Sequence, residues 1–372
     1  MFVFVCEACG AELTTPLSQV TLPDHAHQKY GSGVQLPGLM ESGTFAVAPE
    51  PSGPPWRRWK EIPPGEAAGR GIHAPVPTLS YGAPGAVVIA PGDARGTILI
   101  PEDNASGCCG TVGADGPNVV CAECSLPVAS RIDDCSIWQA LWLAPGAVRR
   151  LHVRGTDITP RSWADLLTEG KRTPPFAPIT TWGSRSGSAH WQNYWWSWNP
   201  QWEAAGGRAL AHLLAASDGQ PVTVPDGLAK ELFQRSLDAL LPGGAPARRA
   251  ALAGPGAPAP DADARILLVP SHPQTGELWA PAEHPAAHLV PLPLGVWLWL
   301  VSPERSLPVP ASGGLPEGVL RDDFDAAPHP GVLFRADPDA LRHTLARLPA
   351  VRRPWLRAIF DDIPQYERAG YF

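Results

Sequence analysis

Over the first 153 residues, short apolar runs are separated by long Pro- and Gly-rich gaps, a pattern that predicts strands joined by loops. AVVIA at 86–90 and GTILI at 96–100 flank the turn cluster PGDAR, which predicts a hairpin. SIWQALWLAP at 136–145 fits a strand or a short helix equally well, because its length does not separate the two. Between Leu36 and Pro75 the density of Pro and Gly predicts no regular structure, only an ordered surface loop carrying two Trp.

From Arg154 the period changes. SWADLLTEG at 162–170 offers Ser162 as N-cap and Gly170 as stop. Asn199 and Pro200 read as the cap and first residue of a longer helix that sets Leu210, Leu213 and Leu214 on one face. LAKELFQRSLDALL at 228–241 repeats the amphipathic pattern. The Pro/Ala/Gly-rich run that follows reads as a linker over 244–264. Beyond it, RILLVP at 265–270 and HLVPLPLGVWLWLV at 288–301 read as buried strands, and residues 340–363 as helix interrupted at Pro349 and Pro354. The expected class is α+β, with a β-rich region at 1–153, a mainly helical region at 154–243, the linker, and a mixed α/β region at 265–372.

Composition narrows the setting. Apolar residues make up 44% of the 372 positions and charged residues 17%, so the chain can bury a core, while 45 Pro and 37 Gly require many irregular connections. A net charge of −7 disfavours a nucleic-acid or anionic membrane partner. The longest apolar stretch falls short of the roughly 20 residues of a spanning helix. MFVFVCEACG lacks the basic start of a secretory signal, and seven cysteines, an odd number, fit metal ligation in a reducing cytoplasm better than a disulfide framework.

The chemistry concentrates in those cysteines. VCEACGAEL at 5–13 and VCAECSLPV at 120–128 each carry a Cys-x-x-Cys pair, and such a turn sets two thiolates on adjacent corners of a tetrahedron. Gly10 follows the first pair and lets the backbone bend its amides toward the sulfurs; Ser125 stands there in the second. Together, Cys6, Cys9, Cys121 and Cys124 resemble the paired knuckles of a zinc ribbon, a resemblance that covers about eighteen residues and implies one structural Zn2+. Between the pairs lie 111 residues, 10–120, far more than a ribbon usually has. Loop closure tolerates this: a tenfold longer loop costs about 2 kcal/mol more, against about 10 to 16 kcal/mol returned by structural zinc in small fingers. A rival local set, Cys109 with Cys121, Cys124 and Cys135, would strand Cys6 and Cys9. Cys108, Cys109 and Cys135 are otherwise expected as buried thiols, with a catalytic cysteine as the lesser reading.

Other candidates carry less. His25 and His27 would share a face on a strand and chelate there; a solvated loop is the bland alternative. HWQNYWWSWNPQW at 190–202 builds an aromatic wall from Tyr194, Trp195, Trp196 and Trp198 beside His190, suited to a planar ligand, a protein partner, or simple core packing. Asp133 and Asp134 diverge on a strand, which points to a turn or an ion pair with Arg131. RDDFD at 321–325 reads likewise, EHPAAH at 283–288 is not a zinc-protease helix, and GSRSG at 183–187 is not a nucleophile elbow. The expected function is a binding or scaffolding module with a structural zinc; the alternative is an enzyme with an aromatic-lined pocket between domains near 190–202.

Overall fold

The computed structural model describes residues 1–31, 33–100, 107, 109–113, 116–156, 159–182, 192–261, 263–282, 286–303 and 331–364, with the backbone alone for 180–182 and 192–195. It is an α+β protein. Seven strands make the main sheet of the first half, in the order Ser18–Gln19, Thr44–Val47, Val87–Ile89, Ala140–Leu143, Pro127–Ile132, Val119–Cys121, Thr97–Leu99. Only the first pair runs parallel. Beside this sheet, Phe2–Cys6 pairs antiparallel with Val148–His152. Alternating side chains divide the sheet's packing: Phe45, Val87, Ile89, Leu141 and Leu143 join Phe4, Leu13 and Leu17 in one core, while Ala46, Val88 and Ala140 turn to Trp138 and Leu39 in another.

Two expectations for this half change. AVVIA and GTILI form strands but not a hairpin, since Val87–Ile89 lies between Thr44–Val47 and Ala140–Leu143 and Thr97–Leu99 lies at the far edge against Val119–Cys121. The reason is Asp93. Its buried carboxylate accepts from Ser42 Oγ at 2.8 Å and Gly43 N–H at 2.8 Å, so the PGDAR turn is tethered sideways and carries the chain across the sheet end. The segment 36–75 also holds structure: Thr44–Val47 inside the sheet, the Trp56–Arg58 strand paired with Thr78–Ser80, and a helical turn at Glu66–Gly69. TFAV is four residues between turns, too short for its alternation to register.

The second half is a parallel four-stranded sheet, Val222–Thr223, Arg248–Leu252, Ile266–Ser271 and His288–Pro293 in sequential order. Helices Pro200–Ser217, Leu228–Leu240, Leu294–Val301, Pro338–Arg347 and Pro354–Asp362 accompany it. The helix expected after Ser162 runs Trp163–Glu169, with the Ser162 side chain accepting from Asp165 N–H and Gly170 in the left-handed region. Ile266 to Val269 are wholly buried, as suits a central strand covered on both faces.

Here too the structure departs from expectation. The stretch expected as linker, 244–264, contains the Arg248–Leu252 strand, an inner member of the sheet. One core joins Leu166, Trp202 and Phe233 to Ile266, Trp297 and Phe360, so residues on either side of that stretch pack as one body. Alanine-rich composition hid a strand whose place is set by the strands on either side of it. HLVPLPLGVWLWLV is strand only to Pro293; Leu294–Val301 is helix, buried all round and therefore without a period to read.

A polar seam joins the halves. Asp24–His27, a 3-10 turn rather than a strand, lies against helices Pro200–Ser217 and Pro338–Arg347. Asp24 pairs with Arg208, Gln28 Nε2 donates to Pro200 O at 2.9 Å, Trp138 Nε1 donates to Gln28 Oε1 at 3.2 Å, and the Tyr30 hydroxyl donates to the Glu203 carboxylate. Glu50 pairs with Arg347 across the same junction. Burial, and then the charge of Asp337, raise Glu203 from its ordinary 4.5 to about 8, with Arg335 pulling the other way.

The folded chain thus keeps on Glu203 a proton that the unfolded chain has already released, so stability falls as pH rises from about 4.5 to about 8. Glu203→Gln is expected to flatten this window. The difference in unfolding free energy between about pH 5 and about pH 8, from urea titrations at each pH, should shrink by on the order of a few kcal/mol.

Candidate metal centre

The four cysteines of the paired knuckles meet. Cys6 Sγ lies 3.5 Å from Cys124 Sγ, Cys9 Sγ lies 3.6 Å from Cys121 Sγ, and all four sulfurs fall within 4.8 Å of one another. Tetrahedral zinc thiolate, with a bond near 2.3 Å, needs sulfurs about 3.8 Å apart. Cys6 and Cys121 are buried at the ends of their strands, and Cys9 and Cys124 face solvent. The donor set, its spacing and its closure on four sides fit a structural ion.

Each half is built by the same backbone device. Cys6 N–H donates to Ala11 O at 2.8 Å and Gly10 N–H to Cys6 O at 2.9 Å. In the second knuckle Cys121 N–H donates to Leu126 O at 2.9 Å and Ser125 N–H to Cys121 O at 2.9 Å. Gly10 and Ser125 occupy equivalent places with φ of 78° and 60°. Ser125 therefore adopts the left-handed conformation without glycine's freedom, at a cost of roughly 1–2 kcal/mol. Both turns aim amides inward: those of Cys9 and Ala8 at the Cys6 sulfur, that of Ala11 at Cys9 and that of Leu126 at Cys124.

Ionisation of one thiol opposes that of its neighbours. Burial opposes the Cys6 thiolate, but the Cys9 and Ala8 amides and the neighbouring thiols outweigh it and bring this group down to about 7. At Cys9 the Ala11 amide favours ionisation, yet burial and the thiols of Cys124, Cys121 and Cys6 push it up to about 12. Crowded sulfurs cannot all hold negative charge unless a cation sits among them.

What brings the knuckles together is a third segment. The chain at 91–96 touches both: Thr15 N–H donates to Asp93 O at 2.9 Å and Arg95 N–H to Leu13 O at 2.8 Å on the first side, and Ala122 N–H donates to Gly96 O at 2.9 Å on the second. Gly96 has φ 54°, and a Cβ there would meet Glu12 O at 2.6 Å. In the sequence, nothing beyond a turn signal marks Asp93 within PGDAR, and nothing marks Gly96 at the head of GTILI. Glu7 N–H donates to Ala147 O at 3.0 Å and closes the other flank.

The remaining candidates disperse. Cys109 and Cys135 lie together in a separate group with Asp134, not with Cys121 and Cys124, so the local tetracysteine set does not assemble. Cys108 is outside the described residues. His25 is buried against the Trp138 ring at 4.2 Å, whereas His27 stacks on His343 at 4.0 Å; in a 3-10 turn the two do not share the face that a strand would give them. Burial lowers the His25 pKa to about 4, consistent with a neutral core histidine. Asp133 pairs with Arg131 at 2.9 Å, as the sequence suggested.

In the Trp-rich run, Gln192–Trp198 is a strand paired with Phe176–Trp182. Trp198 is a core residue and no surface: its ring meets Phe176 at 4.8 Å and Phe334 at 4.9 Å, and its Nε1 donates to Val332 O at 3.0 Å. Trp196 is half-buried. His190, RDDFD at 321–325, Glu283 and His284 and GSRSG at 183–187 lie outside the described residues, as do the side chains of Tyr194 and Trp195. Two cavities, of about 460 Å³ beside Trp59, His73 and Arg352 and about 330 Å³ beside Phe2 and Gln274, are lined by other residues than 192–202. Among the described residues no helix is long and apolar enough to cross a membrane. Comparison of the chain with protein-family models, curated proteins and solved structures found no match.

Gly96→Ala should lower the urea midpoint by the equivalent of about 1–3 kcal/mol through the forced contact with Glu12. Ser125→Gly should raise it by about 1 kcal/mol, by relieving the left-handed serine.

Proposed function

We propose that Cys6, Cys9, Cys121 and Cys124 hold one structural Zn2+ in a zinc-ribbon-like centre, and that the protein is a binding or scaffolding module whose amino-terminal hairpin this ion clamps to the sheet. The observation that carries the reading is the convergence of the four sulfurs within 4.8 Å on two turns of the same hydrogen-bonded design. Two soft donors per turn favour a thiophilic ion over Mg2+ or Ca2+, and four thiolates leave no corner for a reacting water. The ion's role here is cohesion. Residues 1–17 contribute Phe4, Leu13 and Leu17 to a small core, and the clamp holds that apolar contact in register.

A module of this kind binds through its surface, and the described aromatic side chain of the run that retains exposure is Trp196. A protein or small planar ligand remains the class of partner proposed. The enzyme alternative near 190–202 has less in its favour, since Trp198 at the end of that run is packed into the core.

Metal analysis after exhaustive dialysis, joined to thermal unfolding, tests the centre. At least one zinc per chain should be retained, and its removal by chelator should lower the Tm by about 5 °C, the effect expected for about 4 kcal/mol of linked binding in a chain of this size. Cys6→Ser with Cys121→Ser should remove one retained equivalent and most of the chelator-dependent shift in Tm. A chain that holds no zinc, or unfolds identically with and without it, would refute the proposal.

A further inference from the structure

A second set of metal-ligating side chains stands apart from the four-thiol cluster. Residues 109–111 fold back along Arg131–Cys135: Thr111 N–H donates to Asp133 O at 3.1 Å and Asp133 N–H to Thr111 O at 2.8 Å. Behind them Asn118 is fully buried, its Nδ2 donating to Thr111 Oγ1 at 2.6 Å and to Arg131 O at 3.1 Å while its Oδ1 accepts from Arg131 N–H at 2.7 Å. The approach is close enough to exclude side chains, because a Cβ on Gly110 would lie 1.7 Å from Asp133 O and one on Gly107 would lie 1.9 Å from Gly110 O. Cys109 is pressed onto Asp134 and Cys135 as a result.

The contacts there are those of converging ligands. Cys109 N–H donates to Asp134 Oδ1 at 2.8 Å, the Cys109 thiol donates to the same oxygen at 2.9 Å, and Cys135 N–H donates to Cys109 Sγ at 3.1 Å. Both sulfurs and a carboxylate oxygen lie within 4.8 Å of one another. Cys135 is buried and Cys109 is exposed, so among the described residues the group is closed on the Cys135 side and reaches solvent at Cys109.

We propose that Cys109, Asp134 and Cys135 form a second metal site, for a thiophilic divalent ion of the zinc type, with three protein ligands and a fourth position turned to solvent. Two sulfurs exclude the hard cations, and one carboxylate completes a donor set common to zinc. On binding, the two thiols lose their protons to solvent and the ion takes the place of the Cys109 S–H···O bond, so two thiolates and one carboxylate surround a 2+ charge. The Cys135 N–H supports the Cys109 thiolate, and the Cys109 N–H fixes the carboxylate oxygen. Unlike the four-thiolate centre, this site keeps a position at which water or an exogenous ligand exchanges.

The test is Co2+ titration of the full chain under reductant, followed by the thiolate-to-metal and d–d absorption. The expected result is two equivalents. Cys109→Ser with Cys135→Ser should remove one; Asp134→Asn should weaken that same one by more than the about 10- to 100-fold that loss of a group merely supporting a ligand costs. Cys6→Ser with Cys121→Ser should remove the other, and imidazole should perturb the spectrum of the Cys109 site, which has three ligands among the described residues, and not that of the four-thiol centre. The inference does not rest on the four-thiol reading, and the variants keep the two failures apart. A single equivalent that vanishes with Cys6 and Cys121 overturns this site alone. Unchanged stoichiometry in the Cys109/Cys135 variant, with circular dichroism of the parent, overturns it equally and reduces the cluster to a hydrogen-bonded turn.

Discussion

Four thiols forced into a sphere a few ångströms across set the constraint around which the first half of this protein is arranged. Sulfur atoms at 3.5 and 3.6 Å separation contact one another without gaining much by it, and their ionisation is mutually opposed. Such crowding persists because the backbone elsewhere over-determines it. The first knuckle is tied to residues 93–95, the second to Gly96, and the carboxylate of Asp93 anchors that strip to Ser42 and Gly43 in the sheet. A cation placed at the centre would turn an opposed set of charges into an attractive one, which is how a metal converts strained convergence into stability.

The two halves share an apolar core, in which Ala67, Ile72, Ala74 and Leu79 of the first join Trp202, Leu210 and Phe360 of the second, and a polar seam runs beside it. Asp24 with Arg208, Tyr30 with Glu203, and Gln28 with Trp138 and Pro200 span the junction, and the Val34–Gln35 strand adds itself to Phe176–Trp182. Buried polar contacts of this sort fix one relative placement because each group left unpaired costs more than the pair returns. The HAH motif belongs to that seam. Its first histidine is spent on Trp138 and its second on His343, one from each half, so a pattern that suggested chelation joins the halves by ring packing.

Legibility in the sequence followed the range of the physics involved. Local signals were read correctly: Ser162 as a cap, Asn199 and Pro200 as a helix start, Pro349 and Pro354 as interruptions. The cysteine pairing was legible over 111 residues because ligand chemistry is indifferent to separation along the chain, and two Cys-x-x-Cys turns have few ways to satisfy four corners. Strand partnership was not legible. AVVIA and GTILI looked like a hairpin because neighbours in sequence usually pair, and nothing in PGDAR announces that its aspartate is committed to Ser42 and Gly43 fifty residues back. Arg248–Leu252 was lost in alanine and proline because its role is set by the strands on either side and not by its own propensity.

The same reasoning explains why Cys109 and Cys135 separated from Cys121 and Cys124, although all four lie within 27 consecutive positions. Proximity in sequence makes closure cheap, but the strand Val119–Cys121 turns its terminal cysteine toward the core that contains Phe4 and Leu13, and the strand Pro127–Ile132 then carries the chain away from it. Cys135 instead meets Cys109, which Gly107 and Gly110 flank and whose sulfur accepts from Cys135 N–H at 3.1 Å. The loop entropy that separates a local from a remote pairing is about 2 kcal/mol, comparable to the about 1.5–3 kcal/mol gained by burying one large apolar side chain, so the joint burial of Phe4, Leu13 and Leu17 outweighs it and packing decides which sulfurs meet.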